Sequence, residues 1–416
     1  MSTVENQQDA ASQPALAASN RANQTGVRLY NERLILSLVR RNLRLTKVEV
    51  ARLTGLSVQS TSAIMNRLQR DGLLKREAPL RGRVGQPTTP VSLDSEGAFS
   101  LGLKIGRRSC DLVLIDFLGA LRARASIGFA YPTPAKTFEF VERELPNVLA
   151  QLTPAQLGRV AGLGIASPFE LWSWASEIGA PASEMDAWRS VDIEAEVARR
   201  CAYQVSLCND ATAACAAEFS FGQAWRYRDF LYFFLGSFVG GGLVVDGALF
   251  PGRTGNAAAV GSMPMAAGAV GAEPAQQLIS RASVFQLEKR VEALRLDPSS
   301  IWKTPGNWRD FGLAQQEWLE EAAASLAFAS VCAMSVIDIE AVVIDGAIPS
   351  ALRDQLTKRV AFHISRLDRR GLSEAVVVAG AIGPDARAIG GAALPLIKNF
   401  ARDREVLFKD APNGAN

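Results

Sequence analysis

A chain of 416 residues, 48% hydrophobic and 21% charged, is long enough for two or three domains with full cores, and its composition excludes a disordered or fibrous protein. The net charge of +3 is unevenly spread: residues 26 to 90 hold 13 Lys and Arg against 4 Asp and Glu, a net of +9, whereas residues 91 to 416 hold 31 against 36, a net of −5. A basic module on a mildly acidic body suits a phosphate backbone, because each neutralised phosphate releases condensed counterions.

Residues 1–25 have no basic start followed by an apolar core, so they read as a flexible tail, not a secretory leader, and the expected location is the cytoplasm. Val27 to Arg41 is expected to be helical, with Leu34, Ile35 and Leu38 on one face. Asn42 to Leu74 then reads as two helices broken by Thr54-Gly55-Leu56-Ser57. Val48, Val50 and Leu53 precede the break and Thr61, Ile64, Met65 and Leu68 follow it, at helical spacing. This is a helix-turn-helix pattern: Gly55 supplies the tight turn, Ser57 caps the second helix, and Asp71-Gly72 ends it.

If Thr61, Met65 or Ile64, and Leu68 face inward, the opposite face carries Gln59, Ser62, Ala63, Asn66 and Arg70, with Ser57, Ser60 and Arg67 beside it. Such short or polar side chains suit base edges and phosphates in a major groove. Helical hairpins that never meet DNA share the TGLS break. The reading as a double-stranded DNA binder therefore leans on the local charge and on a wing: two short strands, Leu73–Arg76 and Val91–Leu93, flank a basic glycine-rich loop. There Arg81 and Arg83 are expected at phosphates or the adjacent minor groove. Residues 26–95 form the expected winged domain, closed by the turn Asp94–Gly97.

From Ala98 the period changes to that of strands: Leu101–Ile105, Asp111–Asp116 and Ala120–Ile127, then a helix Phe138–Leu152 and a buried strand Val160–Ala166. Phe230–Gly236, Leu243–Val245 and Ala248–Pro251 repeat the strand and glycine-turn pattern, and Ala341–Asp345 and Ala375–Ala379 are two more apolar strands. Two successive blocks of alternating strands and helices predict two α/β lobes with a cleft between them. The longest apolar run, Phe230–Val245, spans 16 residues interrupted by glycines, short of the ~20 that a membrane helix needs.

Five scattered cysteines with no C-x-x-C pair argue against disulfides and against a metal site, and no cofactor is expected. The single His363 lies in an amphipathic helix and reads as a surface or structural residue.

Six segments, in order, resemble the ROK family of repressors, open reading frames and sugar kinases. LGLKIGRRSCDLVLIDFLG (101–119) resembles its first phosphate motif, GLGIASP (162–168) the strand leading to the ligand cleft, and LCNDATAACAAEFSFG (207–222) its Asn-Asp-Ala motif. FLGSFVGGGLVVDGALFPGRTGNAAAVGSM (234–263) resembles the second phosphate motif and sugar loop. VVIDGAIPSAL (342–352) and AIGPDARAIGGAALPL (381–396) resemble its adenosine-side segments.

The resemblance implies an α/β protein with an N-terminal winged helix-turn-helix and a two-lobed actin-like, sugar kinase-like (ribonuclease H-like) body over residues 96–416. One lobe would take about 96–215 plus the C-terminal helix, the other about 216–393. It also implies a sugar effector, with Asn209, Asp210, Asn256 and Ser262 as ligand contacts and Asp210 as a vestigial catalytic base.

Several positions depart from the family kinases. Asp-Ile-Gly-Gly-Thr becomes Lys104-Ile105-Gly106-Arg107-Arg108, and Gly-Thr-Gly becomes Gly236-Ser237-Phe238; both changes are expected to close the phosphate loops to ATP. Glu-Ile-Gly-His becomes Ala259-Val260-Gly261-Ser262, and the zinc-binding cysteine cluster gives way to Gly268–Pro274, so no structural zinc is expected. Trp172, Trp174 and Trp188, near Glu170, admit stacking on a sugar or packing of the lobe interface, with packing the expectation.

The expected protein is therefore a regulator, most simply a repressor of carbohydrate uptake or catabolism genes, that binds its operator as a homodimer or homotetramer. The helix Trp318–Ile337 is a candidate oligomer surface. Alternatives are an active sugar kinase and a regulator whose effector is a protein.

Overall fold

The computed structural model describes residues 12–79, 88–173, 175, 179–265, 276–303 and 308–402, with side chains from residue 25 onward. Two compact units emerge: Met1–Ala98 with Leu396–Asn416, and Phe99–Pro395.

The first unit contains α1 (Ser12–Asn42), β1 (Arg44–Leu45), α2 (Lys47–Thr54), α3 (Val58–Arg70), β2 (Leu74–Arg76) and β3 (Val91–Leu93), with the three strands ordered β1-β3-β2. Its helix boundaries follow from capping. Thr46 and Glu49 form a reciprocal box at the start of α2, where the Glu49 carboxylate accepts from the Thr46 N–H at 2.7 Å. Gly55, at φ 72°, ends the helix in the left-handed region, and the Ser57 hydroxyl accepts from the Ser60 N–H at 3.1 Å to start α3. Thr61, Met65 and Leu68 are buried beneath α3.

Three expectations change here. Helix α1 begins at Ser12, inside the segment read as a flexible tail, because no glycine interrupts the sequence between Ser12 and Gly26, and Pro14 falls in the first turn, where no backbone donor is missed. Val48 and Leu53, grouped with Val50 as the helically spaced apolar positions before the break, are 64% and 44% exposed; in a helix of eight residues only Val50 and Ala51 reach the core. Part of the last helix, from Leu396, belongs to this first unit.

In the second unit, β4 (Phe99–Ile105), β5 (Ser109–Asp116), β6 (Leu121–Gly128), α4 (Pro134–Leu149), α5 (Pro154–Leu157), β7 (Val160–Ser167), α6 (Ala182–Asp186), α7 (Ile193–Ala198) and β8 (Val205–Asn209) build one lobe. Its sheet runs β6-β5-β4-β7-β8, antiparallel for the first three strands and parallel for the rest. After α8 (Asp210–Phe221) come β9 (Phe230–Leu235), β10 (Val239–Val245), β11 (Ala248–Leu249), α9 (Ile279–Ala282), α10 (Val284–Ala293), α11 (Ser300–Lys303), α12 (Gly312–Met334), β12 (Ala341–Gly346), α13 (Ser350–Arg366), β13 (Val376–Ala379) and α14 (Ala386–Phe400). Their sheet, β11-β10-β9-β12-β13, repeats the same plan.

Helix packing on both sheets depends on glycine. A Cβ on Gly164 would lie 2.0 Å from the Gly391 carbonyl oxygen of α14, and one on Gly240 would lie 2.7 Å from the Ala211 Cβ of α8. Trp188 is 1% exposed and donates its indole N–H to the Pro132 carbonyl at 3.0 Å, so it is a core residue; Trp172 packs against the same core, and Trp174 lies outside the described residues. Helix α12, the candidate oligomer surface, buries Trp318, Leu319, Ala322, Ala323, Leu326 and Ala327 in its own lobe, and its alanine face is thus already used. His363 meets Glu320 at 2.8 Å on the outside of α13.

Candidate ligand cleft and nucleic-acid interface

Helix α3 presents Gln59, Ser60, Asn66 and Arg70 to solvent, with Ser62 half-buried and Ser57 capping the N-terminus. Two of its polar side chains are already engaged. The Arg67 guanidinium donates to Glu32 of α1 at 2.8 Å, so the residue expected at a phosphate is tied back to its own domain. The Asn66 carboxamide oxygen accepts from Lys47 of α2 at 2.9 Å. Sequence separations of 35 and 19 residues gave no signal for either pairing. Arg81 and Arg83 of the wing lie outside the described residues.

The second unit holds a cleft of about 680 Å³. Asn209, Asp210, Asn256 and Ser262, named separately from the sequence, all line it. Asn209 ends β8 and caps α8, its Oδ1 accepting from the Ala211 N–H at 2.9 Å, which leaves its Nδ2 for a ligand. The carboxylate of Asp210, expected to be a vestigial base, accepts from Arg387 of α14 at 3.2 Å, and that guanidinium also lies 4.9 Å from the Phe234 ring centroid. Arg387, 177 residues away in sequence, was not anticipated.

The turns after β4 and β9 both reach this cleft. In the first, Lys104 donates to Asp111 at 2.8 Å and to the Ser109 hydroxyl at 2.6 Å; Arg124 joins Asp111 at 3.0 Å to Asp385 at 2.7 Å. Burial lowers the Lys104 pKa, with Arg387 adding to the effect and Asp111 opposing it. Burial by itself would raise Asp111, but the Lys104 ammonium and hydrogen bonds from Lys104, Ser126 and Arg124 outweigh it and hold the carboxyl well below the usual range.

The two turns also touch. The Arg107 guanidinium stands 4.6 Å from the Phe238 ring centroid, Phe238 packs on Phe285 at 5.6 Å, and Arg108 pairs with Glu288 at 2.9 Å. Trp302 donates to the same Glu288 carboxylate at 2.5 Å. This arrangement offers hydrogen-bonding groups to a polar ligand at one end and an arginine-aromatic bridge at the other.

All five cysteines are free, and among the described residues no three His, Cys, Asp or Glu side chains are grouped to hold a metal ion. Burial, with help from Asp111 and Asp210 respectively, pushes the Cys110 and Cys208 thiols up to about 12. Among the described residues, no helix is long and apolar enough to cross a membrane.

Comparison with known proteins gives two matching families: "ROK family" over residues 100–398 and "Winged helix-turn-helix DNA-binding" over residues 28–75. The chain is 27% identical over 384 residues to the uncharacterized protein y4fQ of Sinorhizobium fredii, covering 89% of this chain and 91% of that one. It is 21% identical over 242 residues to the xylose repressor of Bacillus subtilis, covering 58% of this chain and 62% of the repressor, under two thirds of its length. A crystal structure of a ROK family transcriptional regulator, a homolog of the E. coli MLC protein, superposes with a TM-score of 0.63 at 16% identity. That match covers 92% of this chain and all of the other, a likeness of fold.

Proposed function

The chain belongs to the ROK family, and on that premise we propose that it is a DNA-binding transcription regulator, a repressor of carbohydrate uptake or catabolism genes, controlled by a sugar or sugar derivative in the interlobe cleft. The observation that carries this reading is the pairing, in one chain, of a capped helix α3 with an exposed polar face and a ligand-sized cleft lined by Asn209, Asp210, Asn256 and Ser262. The xylose repressor among the relatives supports the sugar class of effector.

Helix α3 would read the major groove, with Gln59 and Asn66 at base edges and Arg70 at a phosphate, while Arg81 and Arg83 of the wing would add contacts beside it. One such module makes few contacts, so a dimer or tetramer on a pseudo-palindromic operator in the cytoplasm completes the reading. The effector shifts operator affinity to the extent that it prefers one arrangement of the lobes.

We infer that the body does not transfer phosphate. Asp210 is held by Arg387, and the turns of a phosphate site are occupied by Arg107 and Phe238, which meet each other. A general base must be free to accept a proton from its substrate, and phosphates need open backbone turns.

Genome-wide capture of fragments bound by the full-length protein, repeated with a panel of pentoses, hexoses and amino sugars, tests the whole reading. A sharp palindrome beside a sugar operon, released by one sugar, is expected. Specific sites that no sugar releases would favour a protein effector, and sugar-dependent ADP release abolished by Asp210→Asn would make the body an enzyme.

A further inference from the structure

Resting on α3 as the base-reading helix, the contact between Lys47 and Asn66 fixes what one of its side chains can recognise. Lys47 is the first residue of α2 and Asn66 lies on the exposed face of α3, with the ammonium 2.9 Å from the carboxamide oxygen. An ammonium has donors only, so the carboxamide has no choice of orientation beside it: oxygen toward Lys47, NH₂ away. A free asparagine reads adenine by accepting from N6 while donating to N7, which needs both ends of the amide. Here one of the oxygen's two lone pairs is held by a cation, which repels the amino hydrogens of an adenine approaching the other. What Asn66 and Lys47 present together is a row of donors: the Asn66 NH₂ and the two ammonium N–H groups not used on Asn66.

Four base edges answer that row differently. Guanine offers two adjacent acceptors, N7 and O6; adenine and thymine each offer one; cytosine offers an amino donor, which opposes it. We propose that Lys47 and Asn66 act as one donor module that selects guanine at a position of each operator half-site, with Lys47 fixing the Asn66 amide and biasing it against its adenine pairing. The nearest cations on α3 do not disturb this arrangement, since Arg67 is drawn off to Glu32 and Arg70 stands a turn further on.

The test is selection of bound sites from a fully randomised duplex library by the full-length wild type and by Lys47→Met and Asn66→Ala. Both side chains are at least partly exposed, and thermal melts of the variants are expected to match wild type. The wild type is expected to favour guanine over adenine by roughly tenfold at one half-site position. Lys47→Met turns that same position toward adenine, and Asn66→Ala flattens it. The proposal is overturned if the position flattened by Asn66→Ala selects adenine in the wild type, or if Asn66→Ala flattens none. It is also overturned if Lys47→Met leaves the base preference intact while weakening all sequences alike and lowering the salt slope by about one, which is a phosphate contact. A wild type that enriches no motif at all fails the DNA-binding reading itself, a result separate from any of these.

Discussion

The two five-stranded sheets of the body share one strand plan, and each sends the turn after its first strand to the cleft, yet they place their charges in opposite ways. In the lobe built on β4, the ionised groups Lys104, Asp111 and Arg124 line the cleft and neutralise one another there. In the lobe built on β9, the turn is aromatic at Phe238 and the charge lies inside. Asp345 of β12 is 0% exposed and accepts from Tyr232 at 3.0 Å, Arg353 at 2.7 Å and the Gly383 N–H at 3.1 Å. One backbone plan thus carries a network that lines the cleft and a sealed one that pins the approach to α14. The first is suited to responding and the second to staying put.

The largest effect is expected where the charge is sealed. Asp345→Ala leaves Arg353 without its buried partner and should cost about 3–5 kcal/mol in denaturant unfolding; a cost under 1 kcal/mol would erase the contrast between the lobes. Next come the helix seats. Gly164→Ala drives a Cβ against the backbone oxygen of Gly391 and should cost about 3 kcal/mol, more than Gly240→Ala, which meets only the Ala211 methyl. Equal losses would mean that α8 and α14 are seated alike.

Asp111→Asn should cost about 1.5 kcal/mol at neutral pH. Because the folded-state pKa of Asp111 is depressed, its contribution is fully present above the unfolded value, about pH 4, and is lost as pH falls through the folded one. The variant should therefore lose less stability than wild type below about pH 4, read as Tm against pH. The smallest effect is at the meeting of the two turns: a double-mutant cycle of Arg107→Ala with Phe238→Ala should give a coupling of about 0.5–1 kcal/mol.

Local signals in the sequence were sufficient for much of the fold. The alternation within Leu101–Ile105 and the glycine turn after it marked β4, and Thr61, Met65 and Leu68 at helical spacing marked the buried side of α3. Strand β8 went unread because its five residues run directly into the α8 cap, with no turn residue between them. Four lining residues of the candidate cleft were legible, but the partners of such residues were not. Asn209, Asp210, Asn256 and Ser262 share one cleft, whereas Arg387 on Asp210, Glu288 on Arg108 and Glu32 on Arg67 are long-range pairings that periodicity does not encode. Glu218 was likewise invisible. It is buried in α8, and its carboxylate accepts from the N–H groups of Gln223 and Ala381, both at 2.8 Å, tying the end of α8 to the loop before α14.

The free cysteines have a practical consequence. Thiols raised to about 12, as at Cys110 and Cys208, exist as thiolate in roughly one molecule in 10⁵ at pH 7. Burial raises the other three as well, and Cys215 is fully enclosed. Maleimide chemistry at neutral pH is therefore nearly silent at Cys110, Cys208 and the enclosed Cys215, so once the partly accessible Cys201 and Cys332 are replaced, fluorophores or spin labels attached at cysteines introduced on either lobe would report cleft motion.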